Sequence, residues 1–122
     1  MYELTIEREF SAAHCLRGYP GACARLHGHN YRVLVTVRGE KLDELGMLMD
    51  FGDLGDICEE VLDPLDHTDL NQIPPFDQIN PTSENLARHI YEQLAERLPP
   101  QVQMSAVTVY ESARSRATWR EG

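Results

Sequence analysis

Three histidines offer the clearest chemistry in this chain: His14, and then His27 and His29 with only Gly28 between them. Neutral imidazoles bind zinc. Three of them, with no obvious fourth protein ligand nearby, describe a catalytic zinc site with an open position. Side-chain alternation allows them to converge. In a strand running up to His14, the residues Leu4, Ile6, Phe10, Ala12 and His14 share one face. In a second strand starting near His27, the residues His29, Tyr31, Val33, Val35 and Val37 share the face of His27. A hairpin of these strands, closed by the loop from Cys15 to Leu26, would aim all three rings at one point. Gly28 is expected to leave room where the backbone passes a metal or ligand. A lone histidine reads as an ordinary surface or hydrogen-bonded residue; three in parity outweigh that reading.

Other reactive groups lie close in sequence to this trio. Cys23 precedes His27 by four positions and stands two before Arg25. Beside positive charge and a metal, it is a candidate thiolate base or nucleophile. The competing reading is an inert loop cysteine. Cys15 is assigned to packing, and Cys58 to the buried stripe of a helix. Asp66-His67 offers a second acid/base pair, the carboxylate fixing the imidazole tautomer. Glu111 ends a strand row with Ser105, Val107 and Val109. A carboxylate there needs donors, either a heterocycle presenting an amino group beside a ring N–H, or Arg114 or Arg116. The residues leave those two balanced.

Composition narrows the classes. The 122-residue chain has a formal net charge of −9, which argues against nucleic acid as a partner. Its basic residues are almost all arginine, Lys41 being the only lysine. Arg17 and Arg25 flank the loop between the histidines, and Arg114, Arg116 and Arg120 cluster near the end; their planar forks suit phosphate or carboxylate. No run of about 18 apolar residues suggests a membrane span. The start lacks the basic and apolar regions of a signal peptide, so the expected compartment is the cytoplasm, with reduced cysteines.

The elements that must position the reactive groups follow from periodicity. Residues 2–13 and 30–38 read as strands, and Gly39 ends the second. Asp50 is an N-cap for a helix near 51–63, with Phe51, Leu54, Ile57, Cys58, Val61 and Leu62 as its buried stripe. Gly52 and Gly55 weaken its start, and Pro64 ends it. Thr82 and Glu84 announce a second helix, whose stripe of Leu86, Ile90, Leu94 and Leu98 runs to Pro99-Pro100. His89 lies beside that stripe, as a surface or subunit-contact residue. Strands follow at 103–111 and 115–120. This β-β-α-α-β-β order predicts one α+β domain over 1–122, an antiparallel four-stranded sheet with two helices on one face. Its edges need partners, which predicts a homo-oligomer built through the sheet.

The motifs Cys23-Ala24-Arg25-Leu26-His27-Gly28-His29, Met49-Asp50-Phe51, Leu65-Asp66-His67-Thr68-Asp69-Leu70-Asn71, Asn80-Pro81-Thr82-Ser83-Glu84 and Glu111-Ser112 with Ala117 resemble the 6-pyruvoyltetrahydropterin synthase family. They span the chain in matching order. Within the family the chain looks most like the bacterial 6-carboxytetrahydropterin synthases of queuosine biosynthesis. The short gap between Cys23 and His27 favours that branch, since the animal-type 6-pyruvoyl enzymes carry a longer insertion there. The resemblance implies the tunnelling fold, in which trimers close a twelve-stranded barrel and two trimers stack as a hexamer. It implies Zn2+ on His14, His27 and His29, a catalytic thiol at Cys23, and Asp66 and His67 as an acid/base pair reaching a neighbouring subunit's site. It also implies Glu111 as the pterin anchor and 7,8-dihydroneopterin triphosphate as substrate. Zinc would polarise the substrate side chain, triphosphate would leave, and side-chain cleavage would release acetaldehyde, a carbon–carbon lyase reaction. Arg114 or Arg116 as a triphosphate contact is an inference from charge and lies outside the resemblance. Competing readings are a 6-pyruvoyl synthase that stops after elimination, a pterin- or zinc-binding module without turnover, and, more distantly, a zinc hydrolase.

Overall fold

Alternating apolar residues at both ends of the chain build one amphipathic sheet, and two helices cover its apolar face. The computed structural model describes residues 1–122 throughout. Strands β1 (Tyr2–His14) and β2 (His27–Gly39) form a long antiparallel hairpin, pairing Tyr2 with Gly39 at one end and His14 with His27 at the other. Helix α1 (Phe51–Leu62) follows, then a two-residue strand β3 (Thr68–Asp69), helix α2 (Ser83–Ala95), and strands β4 (Gln103–Ser112) and β5 (Ser115–Trp119). Both predicted caps are made. Asp50 accepts from the amides of Gly52 and Asp53, and Thr82 accepts from that of Asn85.

The expected antiparallel four-stranded sheet is corrected to a mixed five-stranded one, in the order β3-β1-β2-β4-β5. The added strand is too short to show alternation. It runs parallel to β1, placing Thr68 and Asp69 beside Ala12 and Ala13. A second correction concerns Ser105. A bulge lets β4 pass from Ala106 opposite Thr36 to Met104 opposite Val37, skipping Ser105. The extra residue reverses the alternation. Met104 faces inward before it, Val107 and Val109 after it, and Ser105 turns outward to hydrogen-bond Glu3.

The core joins Ile6, Phe10, Tyr31, Val33, Val35, Val107 and Val109 of the sheet to Leu54, Cys58, Leu62, Leu86, Ile90 and Leu94 of the helices. Phe51, expected on the buried stripe of α1, is 58 % exposed, while Gly55 takes a buried place. Arg8 gives the reason for glycine there. It shares the inward parity of β1, and its guanidinium crosses the spot where a Cβ on Gly55 would stand, on the way to Glu59 at 3.4 Å. No helix is long and apolar enough to cross a membrane.

Candidate metal centre and active site

The β1–β2 register decides the site. His14 and His27 are directly opposed and His29 is opposed to Ala12, so all three rings fall on the inner face at one end of the hairpin. His14 is 1 % exposed. Its Nδ1 donates to the carbonyl oxygen of Pro81 at 2.7 Å, with the Tyr31 hydroxyl 3.1 Å away. His27 Nδ1 donates to the carbonyl oxygen of Arg25 at 2.7 Å. A carbonyl only accepts, so both rings carry their proton on Nδ1 and a lone pair on Nε2.

Those two Nε2 atoms face each other at 3.1 Å. Lone pairs so placed repel unless a cation lies between them. Tetrahedral zinc, with bonds of about 2.0–2.1 Å, holds its nitrogens about 3.3 Å apart. His29 Nε2 is buried and lacks a hydrogen-bond partner. Glu111 Oε1 lies 3.0 Å from it, without the alignment of a hydrogen bond, and 3.9 Å from His14 Nε2. The ligand atoms of His14, His27, His29 and Glu111 all fall within 4.8 Å of one another. This orphaned nitrogen, the opposed lone pairs and the carboxylate together fit a divalent ion. Burial holds His14 and His29 below the ordinary imidazole pKa, against the smaller upward pull of Glu111, so they stay neutral and ready to ligate. Burial likewise pushes the Tyr31 phenol up, keeping it protonated beside His14.

Glu111 joins the metal group, a fourth side chain that sequence reasoning did not place there. In this chain it pairs with neither Arg114 nor Arg116; its Oε2 accepts from the Ser83 hydroxyl at 3.2 Å. The signal was the apolar row of Val107 and Val109 ending in Glu111, but its nearness to the histidines depends on how β4 packs beside β2. Gly28 departs from expectation. It faces the outer side of the sheet, and a Cβ there would meet only the Ala12 carbonyl oxygen, at 3.6 Å. Arg17, suggested by charge as an anion contact, donates instead to the carbonyls of Phe76 and Ile79. His89 is half-buried against Phe76.

Asp66 and His67 do pair, Oδ2 to Nδ1 at 2.9 Å. The Asp66 carboxylate accepts from the Ser11 amide, and the His67 amide donates to the Ser11 carbonyl. The Ser11 hydrogen bond, then that of His67, holds the Asp66 carboxyl below its ordinary range. His67 adopts a φ of 57°, a left-handed conformation that costs a non-glycine residue roughly 1–2 kcal/mol. Its side chain is 81 % exposed, and it lines a shallow depression with Ser11, Ala13, Gly28 and Asn30 of the outer face. Cys23 sits half-buried in a single 3-10 turn, Ala22–Ala24, in the loop joining the histidine-bearing ends of β1 and β2.

The family model for 6-pyruvoyl tetrahydropterin synthase matches residues 3–122. The chain belongs to this family. A protein of Archaeoglobus fulgidus, provisionally named a 6-carboxy-5,6,7,8-tetrahydropterin synthase, is 46% identical over 93 residues, 75% of each chain. The human 6-pyruvoyl tetrahydrobiopterin synthase is 43% identical over 88 residues, 70% of this chain but only 60% of the human one. Among solved structures, the 6-pyruvoyl tetrahydropterin synthase of Caenorhabditis elegans superposes with a TM-score of 0.82 at 32% identity, covering 100% of this chain and 98% of that one.

The depressed histidines fix how stability depends on acid. Above about pH 6.5 they are neutral both folded and unfolded. As pH falls below that value the unfolded chain takes up protons first, so the metal-free fold weakens. His89, also held low by burial, acts in the same direction. Urea unfolding of the metal-free protein should show a lower midpoint at about pH 5.5 than at about pH 7.5, with a smaller drop in His29→Ala. Equal midpoints at the two pH values would contradict this assignment.

Proposed function

We propose that this chain is a zinc-dependent carbon–carbon lyase. It converts 7,8-dihydroneopterin triphosphate to 6-carboxy-5,6,7,8-tetrahydropterin, with release of acetaldehyde and triphosphate, as a step of queuosine biosynthesis. The observation carrying the reading is the inward-facing trio of metal-ready imidazoles with Glu111 beside it. Family membership and the 6-carboxytetrahydropterin synthase names of the Archaeoglobus fulgidus and Bacillus subtilis relatives support the product. A 6-pyruvoyl product is the second reading, favoured by the human relative.

His14, His27 and His29 would hold Zn2+, which would supply Lewis-acid polarisation of the substrate side-chain oxygens and so acidify the adjacent protons. The protein's own groups then move those protons. Cys23, in the loop between the metal ligands, is the thiolate base on one side. Asp66 fixes His67 with its Nε2 free for exchange, which makes His67 the second acid/base group. Its exposure, and its place with outer-face residues, support service in a neighbouring subunit's site. Glu111 anchors the pterin, its two oxygens matching an amino group and a ring N–H. The outer edge of β1 ahead of Ser11, and that of β5, lack strand partners and support assembly through the sheet into a trimer or hexamer.

Three experiments test this reading. Zinc-loaded protein incubated with dihydroneopterin triphosphate should yield the carboxy product and acetaldehyde; triphosphate without acetaldehyde would favour the pyruvoyl reading. In the same assay Cys23→Ala should keep its zinc and lose turnover by at least about a hundredfold, and near-normal turnover would remove Cys23 from the mechanism. Glu111→Gln should raise KM by about tenfold or more, since one charge-assisted hydrogen bond contributes about 1.5–3 kcal/mol. An unchanged KM would confine Glu111 to the metal group.

A further inference from the structure

The catalytic reading gives no work to two asparagines, Asn71 and Asn80. Each uses its whole side-chain amide on the backbone of one other residue. Asn71 Oδ1 accepts from the Cys15 amide at 2.9 Å, and its Nδ2 donates to the Cys15 carbonyl at 3.0 Å. Asn80 repeats the pattern two residues further on, Oδ1 accepting from the Arg17 amide and Nδ2 donating to the Arg17 carbonyl, both at 2.9 Å. A primary amide binding both backbone groups of one residue mimics a neighbouring strand. These bonds extend the pairing of β1 past its last residue. Ser11 is held by Asp66 and His67, Ala12 and Ala13 by β3, Cys15 by Asn71 and Arg17 by Asn80.

The extension ends at the stem of the Cys23 loop. The Leu16 amide, between the two clamped residues, donates to the Cys23 carbonyl at 2.8 Å. Arg17 adds its guanidinium, donating to the carbonyls of Phe76 and Ile79 at 2.8 Å each. Beyond this stem the loop is thinly held. Residues 17–22 are exposed, and the other backbone bonds within the loop are local turns.

We infer that Asn71 and Asn80 are positioning residues for Cys23: their amides fix the stem from which the thiol is presented. The inference rests on the proposed role of Cys23, and catalysis is where it has most effect, since misplacing a catalytic group by about 1 Å can cost a hundredfold in rate. The zinc ligands lie outside its reach. His14 and His27 are set by the β1–β2 pairing, and His14 is oriented by the Pro81 backbone carbonyl, which no side-chain change at Asn80 removes.

Asn80→Ala is the informative variant because Asn80 is only half-buried and the change leaves the core intact. Asn71→Asp, which keeps the acceptor and loses the donor, tests the more buried clamp. Four readouts are taken on the zinc-loaded protein: zinc affinity by chelator competition, amide exchange over residues 15–26, Cys23 alkylation by iodoacetamide resolved by peptide mass, and kcat and KM with dihydroneopterin triphosphate. Each variant should keep its zinc affinity and KM. Exchange in the loop should quicken, Cys23 alkylation should change several-fold, and kcat should fall about tenfold or more. Asp43→Ala removes comparable side-chain bonds to the amides of Leu45 and Met47, far along the chain from Cys23. It should leave alkylation and kcat unchanged. Variants with wild-type alkylation and kcat, or a loss of kcat that tracks a loss of zinc, would overturn the inference. Absence of turnover in the unmutated protein would sink the proposed reaction instead, and exchange and alkylation would still decide whether the clamps position Cys23.

Discussion

The structure is organised around two imidazole lone pairs held face to face. The backbone leaves His14 and His27 no escape from this contact. Strand pairing opposes their Cα atoms, and the carbonyls of Pro81 and Arg25 take their Nδ1 protons. With His29 Nε2 buried and unpartnered nearby, the inner end of the sheet is incomplete without positive charge. Protonation of His14 or His29 would supply it only against the burial that holds those two rings neutral. A divalent cation would satisfy all three nitrogens at once, and the Glu111 carboxylate would offset its charge.

The connection from Asp63 to Thr82 supports most of this arrangement. It orients His14 through Pro81, docks Asp66 and His67 on Ser11, and clamps the stem of the Cys23 loop through Asn71 and Asn80. Ser83, at the start of the helix that follows, holds Glu111. Very little of the connection is regular secondary structure. Its precision comes from backbone groups of β1 being matched, residue by residue, with side-chain amides, a carboxylate and a short strand. An irregular segment bound in this way engages the same backbone groups of β1 and its extension that a neighbouring strand would pair.

Much of this was legible from residue types. Alternation ending at His14 and resuming at His27 gave the hairpin and the convergence of the histidines. Asp50 and Thr82 marked the helix starts, since short polar side chains there satisfy free amides. What escaped was set by interactions without a local period. The two-residue β3 is too short to alternate, and the β4 bulge reverses the face of Ser105 through a single extra residue. The burial of Gly55 reflects Arg8, a charged residue on the inward parity of β1 whose path the helix must clear. Glu111 was readable as a carboxylate needing donors. Its nearness to the histidines depends on how β4 packs beside β2, which no spacing within β4 encodes.

Zinc K-edge X-ray absorption on the purified, zinc-loaded protein tests the central claim most directly. Three imidazole nitrogens with one or more oxygens, at about 2.0–2.1 Å and without sulfur, are predicted. Protein that takes up no zinc, or a spectrum dominated by cysteine sulfur at about 2.3 Å, would contradict the account.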